Sequence, residues 1–134
     1  MYTTLIAWLK TYTDLYLTSY YDDYGQPRWF LRDIVNVTIT GNDDEDVIPS
    51  GMAKSVYPFT LQFHTGKINN STDLLTTAFE SLLSDLTQLY IFNNPITYES
   101  NNFKITNISH RPYEDESLFG YELQIDLTHW EYLT

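Results

Sequence analysis

Between Leu118 and Leu127 every second residue is apolar: Phe119, Tyr121, Leu123, Ile125 and Leu127. A period of two belongs to an extended strand with one apolar face. Such a strand needs neighbours in a sheet and a cover over that face. An acidic turn of Glu114, Asp115 and Glu116 leads into it, and Trp130 and Tyr132 fall out of phase beyond it. Two earlier segments repeat the pattern. Trp29 to Thr40 reads as a half-buried strand, with Val35, Val37 and Ile39 on one face and Asn36, Thr38 and Thr40 on the other, ended by Gly41-Asn42. Tyr57, Phe59, Leu61 and Phe63 alternate with Pro58, Thr60, Gln62 and His64, closed by Gly66, with Pro58 placed near the strand start.

A helical period appears twice. Leu5, Trp8, Leu9 and Tyr12 predict a helix from Thr4 to about Tyr12, capped by Thr3 or Thr4. Leu74, Leu75, Ala78, Phe79, Leu82, Leu83, Leu86 and Tyr90 form a wide stripe with Asp73, Glu80, Ser84 and Asp85 mostly off it, capped by Asn70 or Ser71 and ended by Asn93-Asn94-Pro95. The remaining segments are shorter. Leu15 to Ser19 reads as a short strand, and Asp22, Asp23, Gly25 and Pro27 mark a turn. Asp43 to Ser55 reads as a long loop that opens on four consecutive acids. Ile96 to Glu99 is extended, and Ser100-Asn101-Asn102 is a turn. Phe103 to His110 is a strand whose apolar positions 103 and 105 shift phase to 108, which predicts a β-bulge. The expected fold is α+β, a single domain over 1–134. An antiparallel sheet carries an N-terminal helix and one long amphipathic helix on one face.

Composition narrows the function classes. A chain of 134 residues with 43% hydrophobic content can fill one core unaided. It has no cysteine, which excludes disulfides and thiolate metal sites. Its apolar runs fall short of a membrane span, and MYTTLIAWLK lacks the basic region and cleavage site of a signal peptide, so synthesis in the cytoplasm is expected. A net charge of −11 repels phosphates and anionic membranes and favours basic partners.

Chemistry-bearing patterns are scarce. His64, His110 and His129 show no zinc-ligand spacing, and edge or surface positions account for them. The run Asp43 to Asp46 lacks the alternating carboxylates, glycine and final glutamate of a calcium loop, which leaves only weak divalent binding open. No nucleophile-elbow, phosphate-loop or dinucleotide motif occurs among only five glycines. Tyr20, Tyr21 and Tyr24 with Asp22 and Asp23 fit either a carbohydrate or partner surface, or ordinary half-buried tyrosines. No catalytic, cofactor-binding or metal-ligating residue is assigned, and the chain is not read as an enzyme.

The order of elements resembles the tail terminator (tail-completion, or minor tail) proteins of long-tailed bacteriophages over most of the chain. The likeness rests on LIAWLK, the turn with Gly25-Gln26-Pro27-Arg28, VNVTITG, the acidic loop, VYPFTLQFHTG, the helix STDLLTTAFESLLSDL, and ISHRPYEDESLFGYELQIDLTHWEY at the end. The resemblance implies a structural virion protein without cofactor. It would form a homo-oligomeric ring, typically a hexamer, on the head-proximal end of the tail tube, stopping tube growth and joining tail to head. Its implied partners are itself, the tail tube protein and the head–tail connector, with no specific nucleic acid and no membrane. Asp43, Asp44, Glu45, Asp46, Glu114, Asp115 and Glu116 are the candidate interface residues, facing basic partner surfaces or the lumen. The alternatives are an acidic DNA-mimic inhibitor of a nucleic-acid enzyme and a head-side connector protein of similar fold.

Overall fold

The computed structural model describes residues 1–17, 20–21, 27–29, 35–41, 44–48, 52–67 and 71–132. In chain order these form α1 (Tyr2–Leu17), β1 (Tyr20–Tyr21), β2 (Pro27–Trp29), β3 (Val35–Gly41), β4 (Asp44–Ile48), β5 (Met52–Gly66), α2 (Ser71–Ile91), β6 (Ile96–Tyr98), β7 (Asn101–Glu114) and β8 (Leu118–Tyr132). β1 and β2 pair with each other. The main sheet is antiparallel in the order β3-β5-β8-β7-β6, with β4 also on β5. The fold is α+β, as the alternating and helical periods require.

One face of the sheet is the core. Tyr57, Phe59, Leu61 and Phe63 of β5 and Leu123, Ile125 and Leu127 of β8 are buried there, beside Phe103 and Ile105 of β7. Both helices cover this face. Tyr2 of α1 stacks on Phe59 and Trp8 meets Phe103 edge-on. Phe79 of α2 lies edge-on to Phe63 and stacks on Tyr121 at 4.3 Å between ring centroids. Where Leu61 and Leu123 pair across strands, both side chains are fully buried.

The bulge expected in β7 is present. The register moves by one residue between Ile105 and Asn107, which brings Ile108 onto the core face after Phe103 and Ile105. Thr106 is the extra residue, and its hydroxyl lies 2.7 Å from that of the fully buried Thr128. α2 stops where Asn93 takes a positive φ of 53°. The amides of Asn93 and Asn94 then donate to the carbonyls of Tyr90 and Leu89, the two reversed bonds of a Schellman cap, and Pro95 follows.

Five expectations are corrected. α1 runs to Leu17, so Leu15 to Leu17 are helical rather than extended. Leu5, Leu9, Thr13 and Leu17 form its buried line, and the threonine in that line interrupts the apolar period that would have shown its length. Tyr90 is 39% exposed and leaves the α2 stripe, where Leu89 packs instead. Residues 44–48 and 52–55 are paired strands rather than loop, and β4 keeps the register of β3 along β5: Gly41 faces Phe59 and Asp44 faces Val56. Backbone pairing at a sheet edge thus overrides the poor strand propensity of an acidic run. Pro58 lies within β5 opposite Asp126 rather than near its start. The turn before β7 is Glu99-Ser100, with φ values of 50° and 66°, and Asn101 and Asn102 already belong to the strand. Two successive positive φ angles give the twist of a two-residue hairpin. The capping role of Asn70 or Ser71 lies outside the described residues and side chains.

Candidate assembly site

The two acidic clusters do not come together. Asp44, Glu45 and Asp46 lie on β4 beside the first residues of β5, and Asp43 is outside the described residues. Glu114 to Glu116 form the β7–β8 turn, level with Gly66 at the other end of β5. Val56 and Gly66 bracket the intervening strand, a span of roughly 30 Å at the rise of an extended chain.

Within the second cluster each acid has a different job. The Asp115 carboxylate accepts from the amides of Ser117 at 2.8 Å and Leu118 at 2.7 Å, and from the Tyr113 hydroxyl at 3.1 Å. These donors, the two amides first, hold its carboxyl below the usual carboxylate range. Tyr113 is correspondingly raised by the bond to Asp115. Glu114 pairs with Lys67 at 2.9 Å. Asp115 therefore builds the turn, and Glu114 ties it to the end of β5. Glu116 is exposed.

The face of the sheet away from the helices is polar, and its side chains on β3 and on β7 from Asn107 to Tyr113 are exposed. Asn36, Thr38 and Thr40 of β3, Thr60, Gln62 and His64 of β5, Gln124 and Asp126 of β8, and Asn107, Ser109, Arg111 and Tyr113 of β7 share it by register. Two pairs order this face. The Arg111 Nε donates to Glu122 Oε2, which leaves the glutamate side chain 10% exposed while the arginine is 72% exposed. His64 and Tyr113 stack at 5.1 Å on either side of Gly120, their common register partner. A Cβ at Gly120 would lie 1.8 Å from the Phe63 carbonyl oxygen, so only glycine allows this close approach. Ser109, His110, Arg111, Glu122 and Gln124 line a shallow open groove beside the ion pair.

A half-buried phenol marks the helix layer. The Tyr16 hydroxyl donates to Asp85 Oδ2 across the two helices, and burial together with this bond pushes it far above the ordinary phenol range. It functions as a neutral donor that joins α1 to α2.

The histidines stay apart: His64 stacks on Tyr113, His110 lies 6.2 Å from Phe79, and the His129 Nδ1 is 2.7 Å from the Asn102 carbonyl. Among the described residues no group of three histidines or carboxylates is placed to hold a metal ion. The expected tyrosine surface at Tyr20, Tyr21 and Tyr24 lies outside the described side chains. Among the described residues no helix is long and apolar enough to cross a membrane.

Sequence reading located the acids but missed the Arg111–Glu122 and His64–Tyr113 pairs. The available signal was Gly120, a glycine inside an otherwise regular alternating strand, which marks a close backbone approach. No family model matches the chain, and no curated protein matches it.

Proposed function

We propose that the chain is a tail terminator of a long-tailed phage: a non-enzymatic virion component that closes into a ring on the head-proximal end of the tail tube. The observation that carries the reading is the order of elements: an N-terminal helix, an edge hairpin, one long amphipathic helix and a closing β-hairpin, assembled as a sheet with both described helices on one face. A one-sided sheet leaves a broad rigid surface for neighbours, which a ring subunit needs and a self-contained monomer does not.

The acidic clusters take new roles within this proposal. They lie at opposite ends of the sheet, so one end meets the tube and the other the head connector. Like charges brought together around a ring repel, and salt or magnesium therefore favours closure. A DNA-mimic inhibitor fits less well, because the exposed acids Asp73, Glu80 and Asp85 are too sparse along α2 to imitate a row of phosphates.

Tube growth tests the proposal. Tail tube protein is polymerised with and without the purified chain, and tube lengths and ends are measured by electron microscopy. Shortened tubes with a cap at one end are expected. Unchanged length distributions and bare ends refute the reading.

A further inference from the structure

The main sheet ends on two edges, and they differ in kind. Beyond Phe103, where its pairing with β6 stops, β7 is an edge strand. A bulge at Thr106, the exposed Arg111 and Pro112 all fall in that stretch. Each is a device that keeps a free edge from acquiring a further strand. β3 is the other edge. It pairs with β5 in unbroken register and contains no proline and no charged residue. Apart from Asn36 and Gly41, every residue of β3 is β-branched, which favours extended backbone.

Which backbone groups of β3 are unpaired follows from the alternation of an antiparallel ladder. The Asp115 amide donates to the Leu118 carbonyl at 3.0 Å, which makes Tyr113 with Gly120 and Arg111 with Glu122 the hydrogen-bonded pairs of β7 and β8. Odd-numbered residues of β8 then bond to β5, and even-numbered residues of β5 bond to β3. Asn36, Thr38 and Thr40 therefore turn their amides and carbonyls toward β5. Those of Val35, Val37, Ile39 and Gly41 point outward. By the same count Pro112, which has no amide, takes an outward position on β7. The outward Gly41 carbonyl accepts from the Tyr2 hydroxyl at 3.4 Å, and among the described residues nothing else bonds to the outer side of β3. Val37 and Ile39 pack against the core yet stay half-buried, so the apolar layer stops uncovered at this edge.

We propose that the outer edge of β3 takes an extended segment of a different protein as one more antiparallel strand, apolar at alternate residues and basic where it passes β4. An edge pairs through main-chain groups, so its occupant is extended, and side chains decide which extended segment fits. Val37 and Ile39 select apolar residues opposite them on the helix side. Asp44, Glu45 and Asp46 continue the same edge, because β4 follows β3 along β5. They favour lysine or arginine at the amino-terminal end of the added strand. A second copy of the chain brings a charge of −11 to the same edge and is repelled. The docking does not rest on the tube-capping reading, since it follows from the edge alone.

The test uses the full chain and the synthetic peptide KKKSTVTVTVTV, read by amide hydrogen exchange. Without peptide, the amides of Val35, Val37 and Ile39 are expected to exchange roughly tenfold or more faster than those of Asn36, Thr38 and Thr40. The peptide is expected to protect the first set. N-methylation of its last three valines keeps every side chain and removes the donors, and is expected to abolish the protection. Glutamates in place of the lysines are expected to weaken binding roughly tenfold. Val37→Pro removes an outward donor and spares the ladder to β5. Thermal melts establish that this variant is folded, and it is expected to lose the peptide. The inference is overturned if the outward amides are already protected in the dilute chain, or if their protection grows with chain concentration alone. It is equally overturned if the peptide leaves them unprotected, if it protects Ile108 and His110 of β7 instead, or if the N-methylated or glutamate peptide binds as well.

Discussion

The two faces of the β5–β8 pair are built from the same backbone and held by different physics. On the helix side, Phe59, Leu61, Phe63, Leu123, Ile125 and Leu127 are excluded from water and stabilise the fold by burial. On the open side the same strands carry Thr60, Gln62, His64, Glu122, Gln124 and Asp126. Order there comes from specific pairs, Arg111 with Glu122 and His64 with Tyr113. Burial is non-directional and tolerant of sequence, whereas pairs fix particular atoms at a surface. Stability is therefore concentrated on one face, and the other is left free to recognise.

Substitutions that contrast the faces should separate in size. Leu123→Ala removes a fully buried side chain beneath the helices and is expected to cost about 2–5 kcal/mol in denaturant unfolding. Gly120→Ala lies on the open face yet should cost about 1–3 kcal/mol, because the new methyl meets the Phe63 carbonyl rather than solvent. A near-neutral result would show that the strands separate there easily. Arg111→Ala should cost only about 1 kcal/mol in urea unfolding, since the arginine is largely exposed even though its partner is not. A loss as large as that of Leu123→Ala would mean that the open face carries stability after all.

The two turns that bound β7 sharpen the contrast further. Ser100 holds a φ of 66°, and Ser100→Gly should stabilise the chain by roughly 0.5–1 kcal/mol, read as a rise in melting temperature. Asp115 behaves oppositely, because its side chain builds the turn and its pKa is lowered in the folded state. The folded form then binds fewer protons than the unfolded chain. This contribution is present in full above the ordinary carboxylate pKa and is lost as pH falls through the lowered value. Asp115→Asn should thus flatten the acid limb of the stability profile, and an unchanged limb would remove Asp115 from the account.

What was legible in the sequence was whatever burial writes into periodicity. The alternation at Tyr57–Phe63 and Phe119–Leu127, the α2 stripe and the phase shift around Thr106 all reappear as packed elements. The end of α1 was hidden because Thr13 is buried in a line of leucines. β4 was hidden because its acidic run resembles a loop, while its register is set by pairing to β5 across the sheet. The candidate site was hidden for a related reason. Arg111 and Glu122, like His64 and Tyr113, are far apart in sequence and meet only through the strand register, which leaves no local pattern. The acids were visible, but visibility marked turn-building at Asp115 and an ion pair at Glu114.

Light scattering coupled to size exclusion tests the central claim most directly. The wild-type chain is run across concentration, with and without magnesium, and any large species is imaged by negative stain. A one-sided sheet made to pair with its neighbours predicts a ring-shaped, hexamer-sized species that grows with concentration and with magnesium. A chain that remains monomeric in every condition, including when added to tail tubes, contradicts the account.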